Sequence, residues 1–101
     1  MRATEIATKA SDLVGGDRHQ DHGELLTNFH SIASIWNGYL LARMVNAKSR
    51  SLSAEDVANM MELMKVARRL SGRTNMDDYV DGAGYAAIAG EIRARTKAVT
   101  I

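Results

Sequence analysis

The stretch Ser53–Tyr85, SAEDVANMMELMKVARRLSGRTNMDDYVDGAGY, decides the fold, because it reads as two helices joined by a short turn, with charged residues interrupting both apolar faces. In its first half Val57, Met60, Met61, Met64 and Ala67 recur at three- and four-residue steps. That spacing places them, together with Arg68, on one side of a 3.6-residue helix. In its second half Asp78, Asp81, Tyr85, Ile88 and Ile92 obey the same rule, so two carboxylates continue an apolar stripe toward its N-terminal end. An unpaired charge on a buried face costs several kcal/mol or shifts its pKa, which implies a cation, a metal ion or water beside Asp78 and Asp81.

Ser53 followed three residues later by Asp56 is an N-cap pair, giving that acid a structural task. A second strip, Leu63, Val66 and Leu70, leaves only Glu62, Lys65 and Arg69 as a polar ridge, so this helix is central or packs on a second subunit. Gly72 ends it, and Asn75 with Asp77 and Asp78 starts the next helix. Asp78 lies where a carboxylate meets the positive end of the helix dipole, whereas Asp81, a turn further in, lies beyond the reach of capping. Gly82, Ala83, Ala86, Ala89 and Gly90 form a broad face of small side chains. Glycine inside a helix costs about 1 kcal/mol relative to alanine, so these positions predict close approach of another helix or of a ligand, the helix being favoured.

Toward the N-terminus, Ile6, Ala10, Leu13 and Val14 predict a short helix over residues 4–14 that Gly15-Gly16 stops. The connector Gly15–Gly23 carries Asp17, Arg18, His19, Asp21 and His22. It reads as a solvated loop with a capping acid; the alternative, a His19/Asp21/His22 metal site, matches no recognised ligand spacing. Residues 24–46 predict the longest helix, with Leu25, Phe29, Ile32, Trp36, Tyr39 or Leu40, and Arg43 as its inward seam and His30, Ser34 and Asn37 facing solvent. Phe29 and Trp36 belong first to the core, although an aromatic pair can also stack on a nucleobase. Asn46–Leu52 is a polar connector of ordinary length.

The 101 residues make one domain by the usual size relation. The absence of cysteine removes disulfides and thiolate metal sites, and nothing indicates a secreted, oxidised protein. Thirteen basic against twelve acidic residues argue against a protein that coats nucleic acid. Glu5, Lys9 and Asp12 break any apolar leader, so a cytoplasmic protein without a membrane anchor is expected. Absence of proline and abundance of Ala, Leu, Met, Lys, Arg and Glu favour an all-α domain.

Four segments, LVGGDRHQDHG, NFHSIASIW, DVANMMELMKVAR and DDYVDGAGYAA, carry a resemblance over nearly the whole chain. The chain resembles a family of small tailed-phage and prophage proteins of unassigned function, itself similar to the MazG-like all-α nucleotide pyrophosphohydrolases. The resemblance implies a four-helix bundle in which an E-x-x-E pair and an E-x-x-D pair hold Mg²⁺ against a nucleoside triphosphate. Asp78-x-x-Asp81 matches the second pair with aspartate first, and Glu62-x-x-Lys65 matches the first with lysine in place of a carboxylate. That exchange weakens a divalent site and puts a cationic clamp there.

Two functions follow as expectations. One is hydrolysis of a nucleoside triphosphate to the monophosphate and pyrophosphate, with Asp78, Asp81 and Glu62 at Mg²⁺, Lys65 and Arg68 at phosphate oxygens, Arg18 as a further substrate contact, and Trp36 or Phe29 flanking the base. The other is a non-catalytic interaction protein or nucleotide sensor, in which Arg68 and Lys65 neutralise Asp78 and Asp81 and fix helix register. A homodimer or tetramer is expected for either, on account of the two-sided third helix.

Overall fold

The computed structural model of the chain describes residues 1–15, 24–47, 51–70 and 72–96, and among them every regular element is a helix. Among these residues four helices follow one another: α1 Ala3–Gly15, α2 Leu25–Asn46, α3 Ala54–Arg68 and α4 Asp77–Thr96. Helix α3 starts with a complete capping box: the Ser53 side chain accepts from the Asp56 N–H, and the Asp56 carboxylate accepts from the Ser53 N–H. Two of the four orphan amides of a helix start are thereby satisfied. Gly72, with φ at +74°, supplies the left-handed residue that reverses the chain between α3 and α4. Asn75 then receives the Asp77 N–H on its side-chain oxygen (3.0 Å), which starts α4 as the sequence predicts.

Helix α3 is central and antiparallel to both neighbours. On one side Trp36 meets Met60 and Tyr39 meets Asp56; on the other Lys65 meets Asp81 and Glu55 meets Arg93. Ala58 and Ala67 are buried, and most of the rest of α3 is half-buried, as expected of a helix apolar on two sides.

Among the described residues the expected four-helix bundle is met by three packed helices, α2, α3 and α4, while α1 buries none of its side chains. The radius of gyration is 16.4 Å, against about 13 Å for a compact chain of this length. The inward seam of α2 is also rotated by about one position from the expected one. Asn28 and Ile32 are buried and Ile35, Trp36, Tyr39 and Arg43 half-buried, while Leu25 and Phe29 are 57% and 53% exposed. Both hydrophobic strips of α2 have helical spacing, and the polar anchors at Tyr39 and Arg43 turn the helix toward α3. The small-residue face of α4 is used only in part: Gly82 and Ala89 are buried, and Ala83, Ala86 and Gly90 are exposed.

Candidate functional site

The expected acidic site lies between the C-terminal half of α3 and the N-terminal half of α4. The Asp81 carboxylate accepts from the Lys65 ammonium at 3.0 Å, the lysine side chain being 11% exposed and the aspartate 47%. Asp78 is buried in the first turn of α4, where its charge also meets the helix dipole. Its backbone carbonyl accepts from Arg69 Nη2 at 3.1 Å. The guanidinium of Arg69 also lies 4.4 Å from the centre of the Tyr79 ring, a cation–π distance.

Arg69 was expected on the solvent ridge of α3, and instead it is the arginine that bridges α3 to α4. Its head group fills the space beside Gly82: a Cβ built on that glycine would collide with Arg69 Nη2. The glycine inside α4 is thus accounted for by an incoming guanidinium rather than by a helix backbone.

Arg68, expected to pair with Asp78 or Asp81, has its Nε buried without a hydrogen-bond partner, and so does Arg69. Arg68 and Arg69 line a cleft of about 40 Å³ with Arg73, Thr74, Asn75 and Tyr79. A third orphan is Asn28, fully buried, with neither its amide nitrogen nor its oxygen paired. The Trp36–Met60 and Tyr39–Asp56 pairs set an antiparallel register that brings Asn28 opposite the Ala67–Arg68 turn. Asn28 escaped the sequence reading because an amide carries no apolar signal; its position four residues before Ile32 was the available cue.

Glu62 is half-buried on α3. Among the described residues no three histidine, cysteine, aspartate or glutamate side chains converge as a metal-binding group, so Glu62, Asp78 and Asp81 do not form a carboxylate cage. Magnesium takes oxygen ligands in near-octahedral geometry, and a site whose Asp81 oxygen already faces an ammonium does not fit that donor set. Trp36 serves packing: its indole N–H donates to the Met60 carbonyl at 2.7 Å, tying α2 to α3. Phe29 is exposed, so the two aromatics do not form one base-flanking pair in the core. Arg18 and the His19/Asp21/His22 cluster lie outside the described residues.

At the opposite end of α3 is a polar cluster that sequence reasoning reduced to a helix cap. Asp56 Oδ1 accepts from the Tyr39 hydroxyl at 2.6 Å, and Oδ2 accepts from Arg43 Nε at 2.7 Å and from the Ser53 N–H and hydroxyl at 2.8 and 2.9 Å. Asn59 donates to the Tyr39 oxygen at 3.2 Å, and Arg43 Nη2 donates to the Ser51 carbonyl at 2.7 Å.

Burial by itself pushes the Asp56 carboxyl up, but the hydrogen bonds from Tyr39, Ser53 and Arg43 outweigh it and hold the group well below the usual carboxylate range. Tyr39 is raised by the same burial and by the carboxylate it faces. Arg93 chelates Glu55 at 2.7 and 2.9 Å, which raises the guanidinium pKa further. These residues line a cleft of about 470 Å³ whose two guanidiniums and two carboxylates balance in charge. Arg43 sits on the predicted seam and Asp56 at the predicted cap; only packing shows that they meet.

This geometry defines an all-helical protein whose interhelical surfaces are held by paired charges, with an arginine-rich end that leaves buried polar atoms unpaired. The chain belongs to a family described as a domain of unknown function, DUF6378, whose model matches residues 5–93. It is similar to the Gene 55 proteins of two mycobacterial phages. It is 36% identical to that of Mycobacterium phage L5 over 83 residues, 82% of this chain and 49% of the relative. To that of Mycobacterium phage D29 it is 37% identical over 81 residues, 80% and 48% of the two chains. The chain therefore spans about half the length of the curated relatives it matches, and those relatives make it a phage-type protein. No solved structure matches it. No helix among the described residues is long and apolar enough to cross a membrane.

Proposed function

We propose that the protein binds a phosphate-bearing ligand, a nucleotide, at the arginine-rich end of α3, without holding magnesium through carboxylates of its own. The observation behind this reading is the group of buried, unpaired polar atoms there: the Asn28 amide and the Nε atoms of Arg68 and Arg69. Buried polar groups in folded proteins nearly always have partners, and an unmet one costs about 1–3 kcal/mol, so a ligand that supplies oxygen acceptors relieves that cost. Guanidinium forks suit phosphate oxygens, and an amide can both donate to and accept from a ligand. The resemblance to MazG-like proteins supplies the nucleoside triphosphate as the natural class to test. Hydrolysis to monophosphate and pyrophosphate, with Mg²⁺ at Asp78, Asp81 and Glu62, is the extension that the Lys65–Asp81 contact disfavours.

That same contact favours a second reading, a non-catalytic interaction protein whose acidic pair is neutralised by its own chain. Calorimetry with a panel of dNTPs, with and without Mg²⁺, separates the two. Binding that is independent of Mg²⁺ and lost in Arg68→Gln supports the proposal; absence of binding in both conditions overturns it and leaves the interaction protein. Pyrophosphate released above an Asp81→Asn control would restore the enzyme.

A further inference from the structure

We infer that the arginine-rich end of α3 takes a single terminal phosphoryl group, a phosphate monoester, and leaves the sugar and base of its nucleotide outside. This rests on the nucleotide reading above and narrows it. The cleft between the last turn of α3 and the start of α4 has a volume of about 40 Å³. One water molecule needs about 10–15 Å³ of such space, so the cleft has places for about three oxygen-sized groups. A phosphate monoester presents three terminal oxygens. A phosphate diester presents only two, and pockets that enclose a whole small molecule run to about 300 Å³ or more.

Charge selects the same group. The described lining includes the guanidiniums of Arg68, Arg69 and Arg73 and no aspartate or glutamate. Among the described residues no carboxylate pairs with Arg68, although its side chain is half-buried and its Nε is an orphan. An arginine stays charged throughout the pH range of a folded protein and carries five donors in a planar fork. Arg69 gives one nitrogen to the Asp78 carbonyl, and its own Nε is the second orphan on this wall. The acids of α4 do not answer these donors, since Lys65 holds Asp81 and Asp78 does not line the cleft. A compact dianion with acceptors on every side answers them, because guanidiniums meet phosphate oxygens two at a time. Thr74, on the same wall, adds a hydroxyl donor. With one phosphoryl group filling the cleft, the identity of the base has little influence on affinity.

Calorimetry on the full chain with dTMP, dAMP, dTTP, cyclic AMP and orthophosphate tests it. The three nucleotides with a free terminal phosphate are expected to bind within about tenfold of one another. Orthophosphate should compete with them, and cyclic AMP, a diester, should not bind. Binding of dTTP without dTMP, or of cyclic AMP as tightly as dTMP, overturns the single-phosphoryl cleft and leaves the nucleotide reading standing. Orthophosphate bound without any nucleotide, or nothing bound at all, overturns both. Arg68→Gln is expected to weaken dTMP by about tenfold or more, the worth of one charge-assisted hydrogen bond. Should that protein unfold, Thr74→Glu decides: from an exposed position it sets a carboxylate at the cleft and should abolish binding. Val45→Glu, exposed near the C-terminal end of α2, adds the same charge and should leave binding unchanged. Undiminished binding of dTMP by Arg68→Gln or Thr74→Glu overturns the assignment.

Discussion

Replacing Asp56 by alanine is expected to destabilise the fold by about 3–5 kcal/mol, the cost of leaving one member of a buried ion pair without the other. Four donors converge on the carboxylate: the Tyr39 hydroxyl on Oδ1, and Arg43 Nε with the Ser53 N–H and hydroxyl on Oδ2. The Arg43 side chain is only 14% exposed, so water does not readily replace its counter-charge. Loss of the cap adds to the same total rather than standing apart from it, since one oxygen serves both tasks.

In urea the midpoint should fall by about 2 M with the slope unchanged, followed by helical circular dichroism. The pH dependence gives a second reading. A carboxyl depressed in the folded state contributes stability above its unfolded value of about 3.9, and loses it as pH falls from there toward the folded value. The gap between wild type and Asp56→Ala should therefore be full at pH 7 and narrow below about pH 4. A loss under about 1 kcal/mol, or a gap that does not change with acid, would refute the ion-pair account.

Gly82→Ala in the wild type displaces the Arg69 head group, and the lost contacts roughly offset a helix gain of about 1 kcal/mol. In an Arg69→Ala background the same change should stabilise by about 1 kcal/mol, which a double-mutant cycle by chemical unfolding measures. Asp81→Asn should cost less than about 1 kcal/mol, because its pair with Lys65 is half open to water, and its effect should shrink in high salt. Trp36→Phe keeps an aromatic ring near α3 but loses the donor to the Met60 carbonyl and one ring of the indole, and thermal melts should show a loss of at least about 1 kcal/mol.

Much of this protein is legible in its sequence. The helix periods, Ser53 with Asp56 as a cap, Gly72 as a stop and Asn75 as a start all follow from residues within a few positions of one another, because 3.6-residue spacing and capping are local physics. The central place of α3 was legible too, since a helix apolar on two sides has to be covered twice. Pairings across helices were not legible.

Two residues on one turn, Arg68 and Arg69, differ by about 100° in direction, and local spacing alone could not say which one would reach α4. Antiparallel packing chose Arg69, and the open space at Gly82 received it. The same holds for Phe29 against Asn28, where the anchors at Tyr39 and Arg43 set the rotation of α2, burying an amide and leaving an aromatic ring 53% exposed. The stretch from Ser53 to Tyr85 by itself required that its acids be answered. Tertiary structure decided how: Lys65 answers Asp81, a first helical turn holds Asp78, and Asp56 gathers the strongest set of partners, because side chains far apart in sequence meet only when the helix register is set.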